Sequence, residues 1–558
     1  MKRKNYYLAL LLFFSSLLVT SCDGFLEKNP LDQPSDVTFW STESELQMAI
    51  NAVYRSLYFT DRDVIHMPFQ FLFDFSSDIS WDRNLSVWQL IGQGAVTPIE
   101  ESLIFGTWSN AYATIGQCNR ILSYMERAKE TTNPVVYARI AAEARFFRAY
   151  WYHWLISLYG SVPFTQEPLE IFDAKLPATP KDEIYAFILS ELKAASEILP
   201  PSYGAADRGR VTKGAALALR ARAALSVNDW GQAAESAKEV MDLNLYSLHP
   251  NYAKLFTYEA QNNSEEIFTI QFSRSTQLTH QTPVHTRGRL AGGFVTKIPT
   301  QALIDSYQTS DGLRIDQSPL YNPTKPFENR DPRLQATCVV PGSTFLGYQF
   351  ETHPDSLTIW DYNQTPARRV ANQEVTNPYA TFSGYMYKKY VESDEREFRQ
   401  FSELNIMLIR YAEILLAYAE AKIELNQVDE SVLSAINLVR ARAGMPAVKG
   451  SDQTTLREAI RYERKVEFAF EGHRYFDIRR WKIAEFVMPG QLYGRPLREY
   501  KAHHVPQFDA HGTPRYNAYA SELRMFDTRQ FNAQKDYLWP IPQKELDINP
   551  NLRQNPLY

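Results

Sequence analysis

Cysteine is scarce: Cys22, Cys118 and Cys338 are the only three in 558 residues. That excludes a disulfide framework as the basis of the fold. Cys118 and Cys338 could pair in an oxidising compartment or stay as two buried thiols. After residue 21 no apolar run approaches the ~20 residues of a membrane span. A basic excess is also missing, with 59 Lys and Arg against 64 Asp and Glu. A general nucleic-acid binder would carry the opposite balance to neutralise phosphates. The sequence holds no HExxH, GxSxG, Walker loop or CxxC, so none of the chemistries tied to those spacings is indicated. Ile91–Gly94 (IGQG) is only a turn. His280 with His285, and His503 with His504, lack a third ligand-type partner in sequence, which leaves no metal site to predict. Asp74, Asp78 and Asp82 fall at i, i+4 and i+8. On a helix they would form one acidic face; in a loop they could hold a cation or sugar hydroxyls. Opposed carboxylates of a glycosidase are a spatial feature that spacing cannot supply. No catalytic residue, metal or cofactor is expected.

What is present begins with an export signal. Lys2, Arg3 and Lys4 precede an uncharged apolar run from Tyr6 to Val19, the pattern of a secretory signal peptide. Leu18-Val19-Thr20-Ser21-Cys22 resembles a bacterial lipobox. The expectation is a signal peptide over 1–21, lipid on Cys22 and a polar tether over 22–40 containing Pro30 and Pro34.

Helical signal then recurs in blocks. Thr42 and Glu45 have capping-box spacing, followed by Leu46, Ala49, Ile50, Val53, Tyr54 and Leu57 on one stripe. Further helices are predicted over Leu103–Ala128, Val135–Tyr159, Lys181–Leu199, Lys213–Val227, Trp230–Leu243, Leu404–Leu425, Glu430–Arg442 and Thr454–Phe486. Ala138, Ala141, Ala142 and Ala144, and Ala215, Ala216, Ala218, Ala221, Ala223 and Ala224, would let backbones approach closely. ALRARAALSVNDWGQAAESAKEV, with a hairpin at Asn228-Asp229, looks like a tetratricopeptide unit, but no clean 34-residue period runs through the chain. The fold class expected is mostly α: a degenerate tetratricopeptide-like helix-pair scaffold with long irregular loop insertions and a few short strands. One body over 41–558 would comprise a scaffold (41–59, 101–243, 402–487), insertions (60–100, 245–401) and a C-terminal loop region (488–558). Loops this long are functional or disordered, and these are too aromatic for disorder.

Several motifs then match one family in order: PTQALIDSYQTSDG (Pro299–Gly312), RDPRL (Arg330–Leu334), RYAEILLAYAEAKIEL from Arg410, AINLVRARAGMP (Ala435–Pro446), IRYERKVEFAFEGHRYFDIRRWK (Ile460–Lys482) and YLWPIPQKELDINPNLRQNPLY (Tyr537–Tyr558). Together with FLEKNPLDQPSD after Cys22, they resemble the SusD/RagB family of Bacteroidetes outer-membrane nutrient-binding lipoproteins. One departure is the ending Asn-Pro-Leu-Tyr, where Asn-Pro-Gly-Tyr is usual. The resemblance implies four tetratricopeptide-like helix pairs, a ligand site on the insertions, and a lipid-anchored protein on the outer-membrane surface. It further implies capture of an oligosaccharide for a TonB-dependent SusC-like transporter; some members take peptides instead. A surface glycoside hydrolase is the remaining alternative, without positive sign.

In and just before EGHRYFDIRRW, Glu467, Glu471, Arg464 and Arg474 at i, i+3 and i+4 suggest ion pairs along a helix, with Phe468, Tyr475, Phe476, Ile478 and Trp481 in the core. Glycan binding needs flat rings with hydrogen-bonding groups beside them. Two insertion segments offer both: SDISWDRNLSVW, with Trp81, Asp82, Arg83, Asn84 and Trp88, and TIWDYNQ, with Trp360, Asp361, Tyr362 and Asn363. The candidate ligand-binding residues are Trp81, Asp82, Arg83, Asn84, Trp88, Trp360, Tyr362 and Asn363. The competing role for each aromatic is to anchor its loop to the scaffold.

Overall fold

A computed structural model describes residues 39–59, 67–169, 175–392 and 397–558. The expected signal peptide, Cys22 and nearly all of the tether lie outside the described residues.

The scaffold is a succession of helices, each packed on the one before. α1 (Glu43–Tyr54) starts from the expected capping box, Thr42 Oγ1 accepting from Glu45 N and the Glu45 carboxylate accepting from Thr42 N. α2 (Gly106–Tyr124) and α3 (Pro134–Tyr159) follow; Asn133 caps α3 and Pro134 sits at its first position, where no amide hydrogen is needed. α4 (Lys181–Ile198), α5 (Lys213–Ser226) and α6 (Trp230–Asp242) continue the stack. Then come α7 (Tyr411–Glu424), α8 (Glu430–Arg442), α9 (Gln453–Glu467) and α10 (His473–Arg480). α3 packs on α2 and α4, α5 on α4 and α6, and α7 on α6, α8 and α9. Asn228 (φ +62) and Asn426 (φ +55) make the tight turns of α5–α6 and α7–α8, a left-handed conformation that Asn tolerates. The alanines of α5 are buried, as close backbone approach requires.

Two expected helices are divided. Leu404–Leu425 is a strand, Ile406–Arg410, followed by α7. Thr454–Phe486 splits into α9, α10 and a short turn at Ala484–Val487. The break falls at Phe470 (φ +68) and Gly472 (φ +84). A Cβ at Gly472 would lie 1.7 Å from Gln70 O, so only glycine fits where this turn meets the first insertion.

The strands are short and local. β1 (Ser80–Asp82) pairs antiparallel with β3 (Lys297–Pro299), while β2 (Glu266–Ile270) pairs with Ile406–Arg410. β4 (Thr344–Phe345), β5 (Tyr348–Gln349), β6 (Thr358–Asp361) and β7 (Arg368–Ala371) form a four-stranded antiparallel sheet. The region 488–558, expected as loop, contains a ribbon of Gly490–Pro496 with Leu523–Arg529. Most buried apolar side chains form one core along the helices. A separate small core of Trp81, Val295, Ile298, Val339, Phe350, Met386 and Leu492 lies under the insertions, with Phe345 and Phe526 against it. Cys118 and Cys338 are both buried and unpaired, and burial pushes the Cys118 thiol up to about 12.

Candidate ligand-binding site

The acidic triplet of the first insertion is turned inward. Asp74 accepts from the backbone amides of Gly472 (3.1 Å) and Arg474 (3.2 Å). Asp78 binds the Arg474 guanidinium through two bonds of 2.8 Å. Asp82 pairs with Lys297 in full burial and accepts from Ser86 Oγ at 2.7 Å. They therefore form neither an acidic helix face nor an open cation site. The charges in and before the EGHRYFD segment pair mostly across the fold, although Asp477 and Arg480 also pair along α10. Glu467 meets Arg333, Arg410 and Arg442; Glu471 meets Lys389 and Arg410; Arg464 binds Asp477. Phe468, Tyr475, Ile478 and Trp481 are buried as expected, and Phe476 packs partly buried against the core.

The tryptophans divide by role. Trp88 is fully buried among Phe69 and Phe73 and offers no face to a ligand. Trp81, 5 % exposed, donates its indole N–H to Asp527 (2.9 Å) and lies against Phe382 and Phe526. It is a floor rather than a surface. Phe382 stacks on it at 5.7 Å and 28° and is 41 % exposed. Arg83, half-buried, donates to the Tyr379 and Ala380 carbonyls and lies 5.7 Å from the Tyr379 ring centre and 5.8 Å from that of Phe382. Tyr379 is exposed. Asn84 is partly exposed, its backbone amide held by Asp82. The open platform is thus Phe382, Tyr379 and Arg83, built over Trp81, with Asn84 next to Arg83 in the chain. Tyr379 and Phe382 are not among the residues expected from sequence. Their signal was two rings in the turn-rich, non-periodic stretch TNPYATFSG (376–384).

The second segment is a strand with alternating exposure: Ile359 and Asp361 point inward, Trp360 outward. Trp360 is 39 % exposed, opposite Arg369 on β7, whose guanidinium lies 5.4 Å from the indole centre. Tyr362 is exposed with its amide on Gly347 O (2.8 Å). The Asn363 side chain donates to Leu346 O (3.2 Å) and to buried Asp361 (3.1 Å), which shapes the turn. This sheet reaches the first platform through Phe345 on β4, which packs on the Trp81 core.

The histidine pairs differ. His280 and His285 are buried, bonded to Leu404 O (2.9 Å) and Thr296 Oγ1 (2.8 Å). His503 and His504 do meet a third ligand-type group, Glu522, at 2.8 and 3.3 Å; its sequence distance hid it. Lys501 also donates to Glu522 (2.6 Å), so the carboxylate already carries a cation. A cavity of about 80 Å3 lies elsewhere, bordered by Gln70, His153, Ser157, Arg464 and His473. Burial there lowers His153 to about 3 and His473 to about 4, leaving both neutral.

A family model described as "SusD family" matches residues 264–558, more than half of the chain. The chain belongs to the SusD family. A second model, described as "Starch-binding associating with outer membrane", matches residues 24–225 of this SusD-family chain. A SusD-like protein of Formosa agariphila is 26% identical over 574 residues, spanning 100% of this chain and 98% of its own length. A SusD-like carbohydrate binding protein from Bacteroides fragilis has 30% identity and a TM-score of 0.81, covering 92% of this chain and 100% of that one. Surface glycan-binding protein A from Bacteroides thetaiotaomicron, solved with laminarihexaose, shares the fold at a TM-score of 0.67 and 21% identity, over 92% of this chain and 99% of that one. The helical scaffold with inserted strands is thus the SusD architecture. Among the described residues no helix is long and apolar enough to cross a membrane.

Proposed function

We propose that this SusD-family protein is a non-catalytic surface receptor that captures an oligosaccharide on its insertions. The observation that carries the reading is the pair of exposed aromatic stations, Phe382 with Tyr379 over Trp81, and Trp360 with Tyr362. Flat rings take the C–H face of a pyranose, and Arg83, Asn84 and Arg369 stand beside them for the hydroxyls. The carbohydrate-binding and laminarihexaose-bound descriptions of the two structural neighbours support the same reading. Asp82 and Asp361, in the same segments as the rings, are buried and engaged, and Asp527 is held by the Trp81 indole and Gln93, which supports binding without hydrolysis.

In the full proposal the lipobox at Cys22 anchors the protein, and the family description supports an outer-membrane location. Residues 41–558 act as one body, the insertions 60–100 and 245–401 hold the ligand, and a TonB-dependent SusC-like transporter receives it. The test is a glycan array with purified protein, followed by titration of the best hit into Phe382→Ala and Trp360→Ala. Loss of affinity in at least one variant supports the assignment. A protein that binds peptides but no glycan overturns it.

A further inference from the structure

Each aromatic station carries an arginine and shows little carboxylate. Neutral sugars are rich in hydroxyl donors, and sites for them combine rings with acceptors as well as donors. Here the acceptors are turned away. Asp82 is consumed by Lys297, Ser86 and the Asn84 amide. Asp361 holds the Asn363 turn. Glu374 is buried and accepts from the Arg289 amide at 2.5 Å. Asp527 is occupied by the Trp81 indole and Gln93, and the charged groups that remain open beside the rings are guanidinium, which only donates.

Among the described residues neither Arg83, Arg289 nor Arg369 has a carboxylate within ion-pair distance. Arg83 spends one nitrogen on the Tyr379 and Ala380 carbonyls, which fixes its plane beside two rings. Arg369 is fixed the same way by Thr358 O and Oγ1, both at 2.6 Å, beside Trp360. Arg289 donates to Gly293 O at 2.9 Å. It stands close enough to Arg83 that its charge, after burial itself, holds the Arg83 guanidinium below the ordinary arginine range. Asp82 and Glu374 act on Arg83 in the opposite sense, but neither closes an ion pair with it, so the two guanidinium groups next to an open aromatic face still favour an anion. Arginine held by backbone carbonyls still has nitrogens to offer, and its fork matches planar or tetrahedral oxyanions.

We infer that the ligand is an anionic oligosaccharide, with a sulfate ester or uronic carboxylate seated on Arg83 and Arg369 while sugar rings lie on Phe382 and Trp360. This rests on the glycan-capture reading above and adds the charge of the substrate.

The experiment separates the two. A glycan array bearing neutral, uronic and sulfated members is read first. Matched pairs that differ only in charge are then titrated: dextran sulfate against dextran, and polygalacturonate against its methyl ester. The expected result is binding to acidic array members, with at least one charged polymer at least about tenfold tighter than its uncharged partner, and with affinity falling as salt rises. Preference within the first pair assigns sulfate, and within the second carboxylate. Arg83→Gln and Arg369→Gln, checked for folding by circular dichroism, should bring the charged polymer towards the neutral one. Lys129→Gln, at an exposed Lys129–Glu126 pair, should not. Binding confined to neutral glycans overturns the anionic assignment and leaves glycan capture standing. Polyanion binding untouched by both arginine variants marks it as non-specific and also overturns the assignment. Binding to no glycan of any charge overturns both.

Discussion

Asp78 and Arg474 face each other in the interior through two parallel hydrogen bonds of 2.8 Å, joining the first insertion to α10. The pairing holds Asp78 below the ordinary carboxylate range despite a burial that pushes the other way. Arg474→Met removes one partner and leaves a buried carboxylate, which should cost ~3–5 kcal/mol. Urea unfolding at neutral pH measures it, and a loss under about 1 kcal/mol would show that Asp78 finds water or another cation.

Trp88 and Phe382 should separate stability from binding. Trp88→Ala empties a fully buried site and should cost ~3–5 kcal/mol, read as a lower unfolding midpoint. Phe382→Ala removes a half-exposed ring and should leave the midpoint within about 1 kcal/mol while weakening glycan binding about tenfold or more. If Trp88→Ala folds normally and loses binding, the assignment of roles is inverted.

Asp74 sets a pH signature. Burial raises its carboxyl to about 7 from an ordinary 3.8, although amides of Gly472 and Arg474 partly stabilise the charge. The folded state therefore binds the proton more tightly than the unfolded chain. The contribution is fully present below pH 3.8 and is lost as pH rises through 7, on the order of 4 kcal/mol in all. Asp74→Asn gives up one amide acceptor at every pH, but its stability should fall less between pH 4 and 7 than that of the wild type. Parallel stability curves for the two proteins over that range would refute the assignment.

Leu557 occupies φ +65 in the last turn, at the position where the family ending usually has glycine. A leucine there is strained, whereas glycine is not. Leu557→Gly should stabilise by about 1 kcal/mol, measurable as a small rise in melting temperature. A fall in stability would mean that the exposed leucine makes contacts that outweigh its backbone strain.

What was legible in the sequence was local. The capping box of Thr42 and Glu45, the Asn228-Asp229 hairpin and the alanine face of α5 each act within a few residues, and each gives the expected element. What was not legible depends on partners far away. Gly472 looks like any glycine until Gln70 is known to lie against it. Asp74, Asp78 and Asp82 look like a cation site until Gly472, Arg474 and Lys297 arrive. The ribbon of Gly490–Pro496 with Leu523–Arg529 has its register shifted at Leu492/Tyr493 and Tyr493/Pro496, which blurs alternation. Arg83 and Trp360 stand at exposed rings, in segments that join aromatics with polar groups. Trp88 shares that composition but faces inward, and composition cannot tell the two sides of a chain apart.

The floor of the platform is tied to the far end of the protein. Asp74 meets Gly472, 398 residues on; Trp81 meets Asp527, 446 on; and Arg529 donates to the carbonyl of Phe75, 454 away. Closing such loops is entropically costly and slow compared with forming helix hairpins. On refolding, the helical circular dichroism signal should return first and ligand affinity last. A newly made chain would be a scaffold before it is a receptor, competent only once its final residues have joined the first insertion.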